Sequence, residues 1–168
     1  ALELGEVRRW SVSLPEGPYV SQDGADLNEL RATELPDAPP WGLRIFLVKD
    51  FRRKASLFGI AGGIPGPIGV DGSSAGGVVV SHDTHLDGDG VLLSRTLGET
   101  MAHEGGHQLG LFHTTEAEGT TFDVLPDTPE CAASRYDLDG DGVVWPEECV
   151  DVDGANVMFW TAGSFRQD

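Results

Sequence analysis

The alternation of apolar and polar residues predicts a short series of strands followed by one long helix. Residues 7–14 alternate with one slip and indicate a strand, and residues 43–48 form a compact apolar run typical of a buried strand. Residues 57–61 are a weaker strand candidate, and the three valines at 78–80 are another. Strands, then a helix, then irregular chain are typical of the α+β class.

Two helices are predicted between and after these strands. The first is short and has Asp26 as its N-cap, and the second, with Ser94 or Thr96 as its cap, runs to about Leu109. Residues 62–77 hold seven glycines and two prolines, so we expect a loop there. Beyond the second helix the hydrophobic periodicity is lost, and the chain is expected to be irregular.

Length and hydropathy favour one domain. A chain of 168 residues is within the usual range for a single domain. No apolar run approaches the roughly 18 residues that a membrane span needs. We predict one domain over residues 1–168, with an N-terminal subdomain (1–110) that ends with the second helix and an irregular C-terminal subdomain (111–168).

The charge is strongly acidic and uneven. The net charge is −17, and residues 81–168 hold 18 acidic and three basic residues. This balance argues against nucleic acid and anionic membrane surfaces as partners. All five histidines lie between positions 82 and 113, beside this acid-rich half. The combination suggests two kinds of metal, one borderline and one hard.

Residues 103–113, with the sequence HEGGHQLGLFH, carry the strongest chemical signal. On a helix His103 and His107 project from one face and can bind the same ion. Gly110 can take the left-handed conformation that ends a helix. A few extended residues then suffice to bring His113 back as a third ligand. Three neutral imidazoles leave the fourth zinc position open, which is the arrangement of a catalytic site.

Glu104 is the predicted general base. It lies about 100° round the helix axis from the first histidine, so it can reach water at the metal without binding the metal. The two glycines that follow, Gly105 and Gly106, cost the helix about 2 kcal/mol relative to alanine. Packing or metal ligation must offset that cost.

These residues resemble the zinc signature of the metzincin metalloproteases, and within them the pappalysins. Residues 76–81 resemble the pappalysin edge strand, and residues 123–129 resemble their D-x-V-x-D-T-P segment. The resemblance covers roughly residues 57–160. It implies a metzincin-like catalytic domain with a twisted mixed sheet and a zinc-binding active-site helix. It further implies a secreted zinc endopeptidase acting on proteins or peptides, with a substrate cleft under the strand at 78–81. It also implies a methionine turn beneath the metal at Met158, and it leaves room for a prodomain removed on maturation.

The chain departs from the pappalysin pattern at two positions. Trp160 stands where pappalysins usually carry tyrosine, and Gly105 stands where they usually carry a bulky apolar residue. An indole N–H can donate a hydrogen bond, but it cannot ionise or swing as a phenol does. Whether Trp160 takes over a tyrosine role is left open by the sequence.

In the metzincins the chain after the methionine turn forms part of the pocket for the residue that follows the scissile bond, and many pappalysins have an acid in it. No acid follows Met158 before Asp168 here, so we expect a preference for apolar residues, in contact with Phe159 or Phe165; an acid at Asp123 or Asp127 that folds into the pocket is the alternative.

A calcium loop is predicted at residues 137–148, which fit the pattern D-x-D-x-D-G-x5-E at every ligand position. Calcium there is expected to stabilise the fold, and the alternative is a solvated acidic loop. The expected ligands are the carboxylates of Asp137, Asp139, Asp141 and Glu148 and the carbonyl of Val143.

Cys131 and Cys149 bracket that loop. A disulfide between them would close a ring with 17 intervening residues and contribute about 3 kcal/mol. Two free thiols or zinc ligands are the alternatives, although zinc sites normally use more than two cysteines. A disulfide together with a calcium loop indicates an extracellular protein.

Other interpretations of these features remain open. His82 and His85 could hold a second zinc or be ordinary loop residues. Glu130 could serve as the distant glutamate of a gluzincin, but the spacing of Gly110 and His113 fits that class poorly. For the whole chain, the alternative to an endopeptidase is a calcium-ordered extracellular binding or adhesion module with a catalytically silent zinc site.

Overall fold

The computed structural model is an α+β protein with small sheets and few helices. It describes residues 5–14, 17, 19–21, 24–39, 41–52 and 56–161. A one-turn 3₁₀ helix covers Asp83–His85. The other elements within these ranges are β1 (Tyr19–Ser21), α1 (Ala25–Arg31), β2 (Ile45–Val48), β3 (Asp50–Arg52), β4 (Gly59–Ala61), β5 (Val78–Ser81), α2 (Ser94–Gln108) and α3 (Ala133–Tyr136).

The main sheet is mixed, as the sequence predicts. Its order is β2-β5-β4, with β2 parallel and β4 antiparallel to β5. A second parallel pair joins β1 to β3, and only Lys49 separates β3 from β2. Residues 45–52 therefore contribute one strand to each sheet, and the chain passes from one sheet to the other at Lys49.

Strand β5 is central, and the prediction that it forms the edge above the cleft is wrong. It lies between β2 and β4, and all four of its residues are buried. An unbroken run of valines is typical of a strand covered on both faces, which explains its position. The edges are β2 and β4, and α2 packs against β4 and β5.

Other local predictions also need correction, among them the cap of α2, which has Leu93 at its N-cap and no side-chain cap hydrogen bond, so that Ser94 and Thr96 lie within the helix. Residues 7–14 contain no strand: their polarity alternates, but no segment among the described residues pairs with them. Strand β2 is shorter than the predicted 43–48 and only half-buried, since Ile45 and Leu47 face outward. Asp26 is not the N-cap of α1, which follows Gly24; its carboxylate instead accepts the N–H of Ser21 at 2.8 Å.

The sheet is packed between α1 and α2, and this places α2 against one face. Val78 and Val80 of β5 contact Leu97 and Met101 of α2. The face of the sheet opposite α2 packs on α1 through Val79, Phe46, Val48, Leu27 and Leu30. A third hydrophobic cluster, separate from the sheet, surrounds the pair of cysteines in the C-terminal part of the chain.

None of the described helices has both the length and the apolar character needed to cross a lipid bilayer.

Candidate metal centre

The end of α2 turns the chain back toward its own histidines. Gly110 has φ 103°, the left-handed conformation that glycine adopts without strain. Its N–H donates to the carbonyl of His107 at 2.9 Å, and the N–H of Leu111 donates to that of Gly106 at 2.9 Å. This pair of bonds is the Schellman motif, in the place predicted for it. The reversal returns His113 to the side of α2 that carries the other histidines.

The three imidazoles converge on one point. The Nε2 atoms of His103 and His107 are 3.1 Å apart, those of His107 and His113 are 3.1 Å apart, and those of His103 and His113 are 3.2 Å apart. Zinc–nitrogen bonds of about 2.0–2.1 Å at tetrahedral angles would place the ligand atoms roughly 3.3 Å apart. The predicted ligands are therefore together, at a spacing that suits one metal ion.

The opposite ring nitrogen of each histidine has its own acceptor, and this fixes the tautomers. With the proton on Nδ1, each Nε2 has a lone pair that points toward the lone pairs of the other two. These lone pairs repel each other, so a cation between them would stabilise the arrangement. Burial lowers the pKa of His107, which favours the neutral form that metal ligation requires. The Nδ1 acceptors are the carbonyl of Val157 for His103 at 2.6 Å, the carbonyl of Leu111 for His107 at 2.8 Å and Oε2 of Glu116 for His113 at 3.0 Å.

Met158 lies directly against α2 below the histidines. It is 4% exposed, and its sulfur occupies the space that a Cβ at Gly106 would need. The N–H of Thr114 donates to the Met158 carbonyl at 3.0 Å, which joins the chain after His113 to this segment. Close packing at Gly106 thus accounts for one of the two costly helix glycines.

Glu104 is buried between α2 and the edge strand β4. It is 8% exposed, and a Cβ on Gly59 would lie 2.7 Å from its Cγ. Burial raises the pKa of Glu104 to about 7, while the Ala61 N–H and the positive charge of Arg31 act in the lowering direction. A carboxyl group with a pKa near neutrality is suited to accept a proton and return it.

Sequence reasoning missed the groups that hold these side chains in place. Glu116 follows His113 by three residues, so its spacing gave a weak local signal. The Val157 carbonyl, Gly59 and Arg31 come from distant parts of the chain and give no signal in the sequence. Each becomes visible only when the tertiary contacts are known.

His82 and His85 do not form a second metal site in the described part of the chain. His85 is fully buried, with Nδ1 2.7 Å from the Ser81 carbonyl and Nε2 2.8 Å from Oγ1 of Thr100. Burial lowers the pKa of His85, which favours a neutral ring. The interpretation of these histidines as structural residues is the better one.

Cys131 and Cys149 form the predicted disulfide, which excludes free thiols and zinc ligation. Both are fully buried in a cluster with Val144 and Phe159. The indole N–H of Trp160 donates to the Val144 carbonyl at 2.7 Å. Trp160 therefore connects the segment around Met158 to this cluster. Because its indole N–H donates to a backbone carbonyl, that N–H is not available to a substrate in this arrangement.

The acidic loop 137–148 folds around its own carboxylates. One oxygen each from Asp137, Asp139 and Asp141 lies within 4.8 Å of the others. Glu148 reaches back across the loop, with Oε1 accepting the Leu138 N–H at 2.8 Å. Three predicted carboxylate ligands are thus brought together with the fourth close by, while the ligand role of the Val143 carbonyl stays a prediction.

Comparison with known proteins adds no relative, since no family model, curated protein or solved structure matches this chain. The chemistry of the centre must therefore be argued from its own residues. Phe159, one of the two side chains expected to contact the residue after the scissile bond, is fully buried in the disulfide cluster, so that part of the prediction is wrong. Phe165 lies outside the described residues, so the apolar preference itself stays a prediction.

Proposed function

We propose that this chain is a secreted zinc-dependent endopeptidase of the metzincin type, most similar to the pappalysins. The observation that carries the proposal is the convergence of three Nε2 lone pairs at 3.1–3.2 Å, with Glu104 directly after the first histidine. Three neutral imidazoles leave one tetrahedral position for water or substrate, as in catalytic rather than structural zinc sites.

The residues of the chain have separable tasks in peptide hydrolysis. Bound zinc would supply Lewis-acid polarisation of the scissile carbonyl and of the attacking water. Glu104 takes a proton from the water as the new C–O bond forms, and it delivers that proton to the amide nitrogen as the C–N bond breaks. The acceptors on the three Nδ1 atoms hold the imidazole rings in a fixed orientation, which keeps this geometry preorganised.

The setting that we propose is extracellular. A disulfide persists in oxidising compartments such as the extracellular space. The predicted calcium loop would bind calcium at the high concentrations found outside cells. Calcium would hold the loop 137–148 together by neutralising its carboxylates, and it would take no part in the chemistry. Protein and peptide substrates follow from the proposed reaction.

Zinc removal is the first test of the proposed function. A chelator such as 1,10-phenanthroline is expected to abolish cleavage of fluorescent casein, and one equivalent of zinc per chain is expected to restore it. Calcium or magnesium alone should restore nothing, because these hard cations prefer oxygen ligands to imidazole nitrogen. Casein cleavage that survives complete zinc removal would contradict the proposal.

Calcium added to the metal-stripped protein is expected to raise its melting temperature. A cation that binds only the folded state contributes about 2.7 kcal/mol at a hundredfold excess over Kd. For a chain of this size that corresponds to a rise of roughly 5–10 °C. Trp145 reports occupancy independently, since its indole N–H lies 3.0 Å from Oδ2 of Asp141 and its fluorescence should change on binding.

Asp139→Asn should reduce both effects. Asp89→Asn serves as the matched control, because it removes a carboxylate from a separate exposed turn, residues 87–90, where the spacing of acids does not complete the calcium pattern. A melting temperature that calcium leaves unmoved would show that the loop is only a solvated acidic segment.

A further inference from the structure

A buried arginine reaches the same backbone segment that contacts Glu104. Arg31 is the last residue of α1, on the sheet face opposite α2, and it is 5% exposed. Its Nη2 donates to the carbonyls of Ile60 at 3.1 Å and Ala61 at 2.9 Å, both on the edge strand β4. Glu104 of α2 packs against the same strand, since a Cβ on Gly59 would lie 2.9 Å from its Oε1, and the Ala61 N–H lowers the pKa of its carboxylate.

One peptide group connects the two charged side chains. The carbonyl of Ile60 and the N–H of Ala61 belong to the same amide, with Arg31 on its oxygen and Glu104 on its hydrogen. A cation at the oxygen polarises the amide and makes its N–H more positive on the side that faces the carboxylate. Two opposite buried charges also offset each other, whereas either of them left alone would be costly.

We propose that Arg31 is a positioning residue for the general base. It fixes the Ile60–Ala61 segment of β4 and, through the packing of that strand on Glu104, the carboxylate on the other side of the strand. The catalytic part of this inference rests on the proposed peptidase function. The energetic link between Arg31 and Glu104 does not depend on that function, so it can be measured whether or not the chain cleaves peptides.

The first test is a double-mutant cycle in thermal unfolding of the zinc-loaded protein, with Arg31→Met, Glu104→Gln and the combination. Arg31→Met alone leaves a buried carboxylate without its counter-charge, so we expect a clear fall in melting temperature. In the Glu104→Gln background the same substitution should cause a distinctly smaller fall, because no charge is left uncompensated.

Arg95 and Glu99 provide the matched control. They form an exposed pair at 3.2 Å on α2, and the cycle of Arg95→Met with Glu99→Gln should be additive. If Arg31→Met does not fold, Arg31→Lys replaces it in the same cycle. The lysine keeps the charge, so it should leave the melting temperature nearer to that of the wild type.

The second test is the split between kcat and KM. Because a small displacement of a catalytic group costs up to about a hundredfold in rate, Arg31→Met is expected to lower kcat between about ten- and a hundredfold, with KM changed less than about twofold. Arg31→Lys should recover part of the loss, and Arg95→Met should match the wild type.

An additive Arg31–Glu104 cycle, or an unchanged kcat in Arg31→Met, would overturn the positioning role. A coupled cycle in a chain that cleaves no peptide would instead overturn the proposed function while leaving the Arg31–Glu104 link in place.

Discussion

Replacing Glu104 with glutamine is expected to lower kcat/KM for peptide hydrolysis by about 10²–10⁴-fold while zinc stays bound. Glutamine has nearly the same volume and keeps an oxygen that can accept the Ala61 N–H, but its amide cannot take a proton from water. The zinc ligands should be unaffected, since their Nδ1 acceptors are Val157, Leu111 and Glu116. The measurement is kcat/KM on a quenched fluorescent peptide, together with the zinc content per chain.

Glu99→Gln is the control for this experiment. It removes a carboxylate from the same helix, and the ion pair with Arg95 that it breaks is partly exposed and contributes at most about 1 kcal/mol. Its kcat/KM should equal that of the wild type. Wild-type activity in Glu104→Gln would show that another group acts as the base.

Removing the disulfide is expected to cost about 2–5 kcal/mol of the free energy of unfolding. Cys131→Ala combined with Cys149→Ala opens a ring defined by a sequence separation of 18. It also leaves space among fully buried side chains, Val144 and Phe159, which pack on the cysteines. Phe159 is adjacent to Met158, so loosening of this cluster should reach the helix that carries the zinc ligands.

Equilibrium unfolding in guanidinium chloride measures this cost. The oxidised wild type is the reference, and the wild type held in reductant is the second comparison, because it loses the crosslink but keeps both sulfur atoms. A loss of less than about 1 kcal/mol in the double variant would show that the fold of this region does not depend on the crosslink.

Local patterns in the sequence predicted the histidine cluster of the candidate metal centre well. Helix α2, the convergence of its two histidines and the reversal at Gly110 all depend on neighbours within about ten residues, and each is found in the structure. The disulfide was also predictable, because two cysteines allow only one pairing.

Elements that depend on distant partners were predicted poorly. Residues 7–14 alternate in polarity, yet they form no strand, because no other segment of the described chain pairs with them. The three-residue strands β1 and β3 stabilise each other in parallel, and neither carries a pattern long enough to detect alone. The edge position of β4 was assigned to β5, although the unbroken valines of β5 already indicated a strand buried on both faces.

Hydrolysis of an unfolded protein in water enriched in ¹⁸O tests the central claim most directly. The zinc-loaded chain is incubated with reduced, alkylated casein, and the products are identified by mass spectrometry. We expect internal cleavages in which each new carboxyl terminus carries one ¹⁸O atom, and no such products from the zinc-free chain or from Glu104→Gln. A chain that holds one zinc yet yields no new termini would contradict the account, and it would favour a binding module with a silent metal site.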